Sequence, residues 1–324
     1  MVLEGKMINN LINDVEALAK PGTRKVGTAG HREARIYLAS RMRSLGLVPY
    51  SGKGFELPYT VESASYVNLA GVLPGSDPTL APLMLVAHYD TCGDQPGADD
   101  NAAAIAIWLS LISLIKHTPQ NRDILFLFPD AEEPPRFLTD HMGSINFYEN
   151  QRVGEIHAGI VLDLVGHDVP IFGMEDLIFI LGAESHRELS NILLNTSSPH
   201  GLKNIATLNR YVGDLSDHHI LRERNKPYLF FTCGRWSHYH KKSDRPEYLN
   251  YEKMERITQY LLALVQQIIS LDFTPEGFDY DSVKMEIELL RRSIGPYLDA
   301  HAIPMNTRED VQQFVLSWML QNQL

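Results

Sequence analysis

Short, wholly apolar runs recur along the chain, with stretches of helical spacing between them. Five runs have strand length: residues 83–87, 124–128, 160–164, 177–181 and 228–232. Being apolar throughout, they predict strands buried in a covered sheet. Helical spacing falls over 33–45, 102–115, 185–194, 217–223 and 253–271. That alternation predicts an α/β fold with a mostly parallel, helix-covered sheet. Two Tyr-containing segments between residues 50 and 75 predict an antiparallel edge, so the expected sheet is mixed.

Past residue 271 the pattern changes. Phe273-Thr274-Pro275-Glu276-Gly277 is a breaker cluster. Helical spacing resumes over 282–294 and again from Asn306, where an Asn-Thr pair and an acidic first turn mark a helix start. The chain is read as a body, 1–272, and a helical C-terminal extension, 273–324. The extension is expected to pack on the body, with a lid or a homo-oligomer contact through these helices as alternatives.

Composition bounds the partners more than the function. The 324 residues can bury a sizeable core. A net charge of −11 and a pI near 5.6 argue against nucleic acid or an anionic membrane as partner. No apolar run reaches the ~18 residues of a membrane span. The nearest, 102–115, is interrupted by Ser110 and Ser113 and is expected as a buried helix. The first twenty residues carry Glu4, Asp14 and Glu16, so no signal peptide is visible. Cys92 and Cys233 are too few for a disulfide framework. The expected location is cytoplasmic.

Residues that carry chemistry sit where the strands end. The run 83–87 leads into His88-Tyr89-Asp90, and Gly97-Ala98-Asp99-Asp100-Asn101 follows after a short loop. The run 124–128 leads toward Ala131-Glu132-Glu133. Strand carboxyl ends of an open α/β sheet converge on one crevice. A histidine with several carboxylates there predicts a metal site for hydrolysis, with zinc as the suited ion and a free carboxylate as general base. Asp163 lies in an apolar strand, where an unpartnered carboxylate is costly, so it too reads as a ligand.

Further pieces complete an ordered series: Pro21-Gly22-Thr23-Arg24 with Gly27-Thr28 ahead of His88, then Gly143-Ser144, Ser216-Asp217-His218, and Tyr239-His240 followed by Asp244. The series resembles the zinc-dependent exopeptidases of the bacterial leucine aminopeptidase type, a group that also contains glutaminyl cyclases and glutamate carboxypeptidases. The resemblance runs from about residue 8 to 271 and leaves out the extension.

Two zinc ions about 3.5–4 Å apart need a bridging carboxylate, plus a histidine and a carboxylate each. His88 would serve one metal and His240 the other, with Asp100 as the bridge and Glu133 and Asp163 completing the shells. Glu132 would take the proton from the attacking water and return it to the leaving amine. Asp90 would accept from the free ring nitrogen of His88. The resemblance also implies a cis peptide bond at Asp100-Asn101. Two choices stay open: Asp99 as ligand with Asp100 capping the next helix, and His238 in place of His240, although the register to Asp244 favours His240. Tyr211, Tyr239 and Arg235 are candidates to stabilise an oxyanion. His218 and His219 are expected to support the site from beside it. His117, His141, His157, His167, His186 and His200 read as solvated, and Cys92 and Cys233 as small buried thiols.

Two departures stand out. Ala103-Ala104 replaces the usual Ser-Gly, and the segment from Pro134 to Met142 lengthens the interval between Glu133 and Gly143. Two prolines stiffen that segment, and Arg136 and Phe137 are expected to wall the substrate pocket. An insertion there, and Trp236 ahead of His240, also resemble glutaminyl cyclases. The function read from the chain is a zinc-dependent metallo-aminopeptidase acting on peptides. The alternatives are a glutaminyl-cyclase-like single-zinc aminoacyltransferase and a non-catalytic peptidase-like binding module.

Overall fold

Nine strands form one mixed sheet among the residues described by a computed structural model, 2–20 and 22–322. Pro21, which opens the Pro-Gly-Thr-Arg piece, lies outside them. The strands are β1 (Val48–Pro49), β2 (Glu56–Val61), β3 (Ala64–Leu73), β4 (Leu83–Val86), β5 (Ile124–Phe128), β6 (Ala158–Leu162), β7 (Leu177–Leu181), β8 (Lys203–Ala206) and β9 (Tyr228–Thr232). Their order is β1-β3-β5-β4-β6-β9-β7-β8, with β2 also paired to β3. The central strands β5, β4, β6 and β9 are parallel. Antiparallel pairs flank them, β3 with β5 on one side and β7 with β9 on the other.

The apolar runs are therefore the centre of the sheet, and the Tyr-containing segments are β2 and β3. Two differences matter. β6 ends at Leu162, so Asp163 lies just past the strand and not inside it. β8, with the sequence Lys203-Asn204-Ile205-Ala206, is a strand that no apolar run marks.

Helices are α1 (Val2–Ala19), α2 (Ala29–Leu45), α3 (Ala104–Ile115), α4 (Gly143–Asn146), α5 (Arg187–Asn195), α6 (Asn209–Val212), α7 (His218–Glu223), α8 (Tyr251–Ile268), α9 (Val283–Ala300) and α10 (Arg308–Asn322). Alternate strand residues face opposite ways, and they divide between two cores. Leu83, Leu85, Phe126, Ile160 and Leu162 meet α1, α2, α3 and α8. Met84, Val86, Leu125, Leu127 and Val161 belong to a second core that includes residues of α7, α9 and α10.

Helix α3 sits at the centre of the first core, and its Trp108 Nε1 donates to the Val86 carbonyl at 3.0 Å. A wide, kinked turn, Ala98–Ala103, precedes it, its backbone departing from helical values at Asp100 and Asn101. Together they give an 18-residue window long and apolar enough to cross a membrane, but 89% of it is buried inside the fold. Helix α1, which the charged N-terminal sequence did not announce, buries Leu11, Val15 and Leu18 in this core.

The extension covers the second core. Ser293 Oγ donates to the Asn204 carbonyl of β8 at 2.6 Å, and Leu290, Ile294, Leu298, Phe314, Val315 and Trp318 are buried. Helix α9 runs past its expected end at Ile294. Pro296 lies within it, and the backbone departs from helical values at Ile294 without ending the helix.

Candidate metal centre

His88 and Asp90 follow β4, Glu132 and Glu133 follow β5, Asp163 follows β6, and His240 lies in the loop after β9. The turn before α3 brings Asp100 among them. His88 Nε2 lies 3.4 Å from Asp100 Oδ1, 3.6 Å from Asp163 Oδ2 and 3.7 Å from Glu132 Oε2. His240 Nε2 lies 3.2 Å from Asp100 Oδ2 and 3.1 Å from Glu133 Oε2. Asp100 thus offers one oxygen to each histidine.

These separations fit ligands around cations. Atoms about 2.0–2.2 Å from a tetrahedral zinc stand roughly 3.3–3.6 Å from one another. Both ring nitrogens of His88, Asp163 Oδ1 and Glu133 Oε1 are also buried without a hydrogen-bond partner, which native structures seldom leave unexplained.

The charge balance leads to the same reading. Burial raises the Glu132 carboxyl well above its usual range, and burial with the neighbouring Asp100 charge pushes Glu133 up to about 8. Burial alone would lower both histidines. Glu132 and Asp163 outweigh it at His88 and hold that ring well above its ordinary value. Asp100 and Glu133 outweigh it at His240, which reaches about 10. Against burial, His240 and His88 hold Asp100 below the carboxylate range. A multivalent cation relieves such an excess of negative charge.

The surrounding residues aim this set. Asp90 accepts from the Glu132 and Glu133 N–H groups at 3.0 and 3.2 Å, while its Oδ1 stands 3.5 Å from His88 Nδ1. It therefore orients the Glu pair more directly than it orients His88. Asp99 turns away, accepting from Gly166 N–H and pairing with His167 Nδ1, each at 2.7 Å. Asp100 caps no helix, since α3 has no side-chain cap. Asp244 accepts from the N–H groups of Asp99 and Asp100 at 2.8 and 3.1 Å. The Asp100-Asn101 peptide bond is cis.

Arg24 is fully buried and donates to the carbonyls of Tyr89, Pro96 and Gly97 at 2.8, 2.6 and 2.9 Å. It thereby ties together the loop that carries His88, Asp90 and Asp100. Gly97 takes a φ of +62°, and a Cβ there would stand 2.2 Å from the Asp100 carbonyl oxygen. No side chain fits that approach.

Other expected residues divide. His238 turns from the cluster to Ser243 Oγ, 2.8 Å away. Phe137, Tyr239 and Arg235 line the cavity beside the cluster. Arg136 instead donates to the Tyr66 hydroxyl at 2.9 Å and leaves the wall to Pro134 and Phe137. Tyr211 lies off the cavity, its hydroxyl accepting from Arg210. Trp236 stacks on His167, ring centres 4.6 Å apart, and does not line the cavity, so it lends no weight to the cyclase comparison. His167 and His186, expected in solvent, are buried. His167 pairs with Asp99, and His186 accepts from Glu188 N–H at the start of α5. His218 is buried between Asn209 and the Phe230 ring. Cys92 is only half-buried, and its sulfur lies within 4.8 Å of ligand atoms of Glu133 and His240.

Residues 68–265 match the model of Peptidase family M28, and the chain belongs to that family. A Caenorhabditis elegans relative, provisionally named endoplasmic reticulum metallopeptidase 1-A, is 26% identical over 217 residues. The match covers 64% of this chain and 23% of that protein, so the chain spans under a quarter of this relative's length. Among solved structures, the LapA aminopeptidase of Legionella pneumophila superposes with a TM-score of 0.67 at 20% identity, covering 82% of this chain and 72% of that one. A Porphyromonas gingivalis glutaminyl cyclase gives 0.65 at 18% identity, covering 80% and 98%. At such identities the two structures are alike in fold. The family is, by its description, one of peptidases.

Proposed function

We propose that the chain is a two-zinc aminopeptidase that removes N-terminal residues from peptides. The observation that carries this reading is Asp100, whose two oxygens face two histidines. His88, Asp100 and Asp163 would hold one ion, and His240, Asp100 and Glu133 the other. When bound, zinc lowers the pKa of a water toward ~7 and polarises a scissile carbonyl.

The protein's own residues do the rest. Glu132, aimed by Asp90, takes a proton from the attacking water and returns it to the leaving amine. Burial keeps the Tyr239 hydroxyl protonated, so it can donate a hydrogen bond to a developing oxyanion. The free α-ammonium of the substrate is drawn to the acidic cluster. Arg235, at the exposed rim, is the one Lys or Arg among the described cavity-lining residues. A carboxypeptidase needs cationic groups for its substrate's carboxylate, so this lining favours an aminopeptidase.

The test is turnover by the zinc-loaded chain on aminoacyl p-nitroanilides and, separately, on an N-terminal glutaminyl peptide. Release of nitroaniline that a chelator abolishes supports the aminopeptidase. Cyclisation with loss of ammonia, and no hydrolysis, replaces it with a cyclase.

A further inference from the structure

The cavity beside the ligand cluster, about 210 Å³, runs from the carboxylates into apolar surroundings. Its inner wall is shared between the sheet and the extension. Phe179 of β7 and Phe230 of β9 face it from the sheet, and Leu290 of α9 with Phe314, Val315 and Trp318 of α10 from the extension. The α10 residues recur at i, i+1 and i+4 and so share one helix face. Trp318 meets Phe179 edge-on with ring centres 5.9 Å apart and stacks on Phe314 at 5.5 Å, which anchors the wall to the sheet. None of these extension residues falls within the family match, which ends at residue 265.

We propose that α10 is a specificity wall, closing the pocket that receives the substrate's first side chain and selecting large aliphatic or aromatic residues. This rests on the aminopeptidase reading. A charged side chain would lose its hydration there without an opposite charge at the apolar end. Thr207 contributes a buried hydroxyl without a partner, too little for a carboxamide with two donors and an acceptor. Leucine, methionine and phenylalanine fill the space, whereas alanine leaves most of it empty. One methylene in such a pocket is worth about 10–200-fold in kcat/KM.

The experiment compares kcat and KM on leucyl, phenylalanyl, alanyl and glutamyl p-nitroanilides for the full zinc-loaded chain and two variants, with calorimetric binding of free L-leucine as a second readout. Wild type should prefer leucine to alanine by at least ~10-fold. Val315→Phe narrows the pocket and should cut the phenylalanine-to-alanine ratio by roughly 10-fold, mainly through KM, and weaken leucine binding. Trp318→Ala should lower the leucine-to-alanine ratio. Should Trp318→Ala fail to fold, Val315→Phe decides alone. Variants with native circular dichroism whose ratios and leucine binding match wild type overturn the specificity wall. A wild type that cleaves none of the substrates overturns the aminopeptidase reading instead; leucine binding that Val315→Phe weakens then still supports the pocket, and its absence removes it.

Discussion

Asp100 and Glu132 take different parts in the proposed site. Asp100 stands between His88 and His240, whereas Glu132 approaches His88 no closer than 3.7 Å and is aimed through its backbone by Asp90. Glu132→Gln keeps the shape and removes the base, so turnover should fall roughly 100- to 10,000-fold with zinc content unchanged. Near-normal turnover in that variant would remove Glu132 from the general-base role. The cluster was legible at this scale because position marks it: His88 directly follows an apolar run, Asp163 is a carboxylate within one, and Glu132-Glu133 come a short loop after another. Backbone donors were not legible. Spacing does not say that Asp90 serves two N–H groups or that Asp99 turns to Gly166 and His167. Nor does it say that Arg136 leaves the cavity for Tyr66.

At the scale of elements, the loop between β4 and α3 is where fold and site meet. It has little regular structure, and Arg24 substitutes for it by gathering four of its carbonyls, those of Tyr89, Pro96, Gly97 and Asp100. Arg24→Met leaves the Tyr89 carbonyl buried without its donor and removes the bonds to Pro96 and Gly97, at about 2 kcal/mol or more in stability, and should loosen the placement of Asp100. Thermal unfolding and a zinc titration on the same preparation check this: both should weaken, and unchanged zinc affinity would separate Arg24 from the site. The five apolar strands could be read directly because both faces of each are covered. β8 could not, since its buried polar residue Asn204 is satisfied by Tyr260 and Ser293 from two distant helices. Helix α1 was hidden because its buried Leu11, Val15 and Leu18 are interspersed with polar residues and with half-exposed Ile8 and Ile12, which blur the helical spacing.

Across the whole molecule, charge and burial set the response to acid. Burial lowers His157 from 6.5 to about 4 and His218 from 6.5 to about 3. A histidine kept neutral in the folded state binds fewer protons than the unfolded chain between those values. Its contribution is therefore present above pH 6.5 and is lost as pH falls toward the folded pKa. His157→Gln should reduce the stability lost between pH 7 and 5.5 by up to about 1 kcal/mol, allowing for the partial exposure of that ring. Denaturant titrations at the two pH values, with chelator present, measure it, and an unchanged difference would contradict the assignment. The extension matters at this scale as well. Its two helices complete the second core and reach the cavity, a role that helical spacing alone could not distinguish from a lid or an oligomer contact.

The central claim is that Asp100 serves two metal ions, and metal stoichiometry tests it most directly. Elemental analysis of the zinc-loaded, desalted chain should give about two ions in the wild type and about one in His240→Ala. A wild type that holds one ion or none, with its fold intact, would contradict the account.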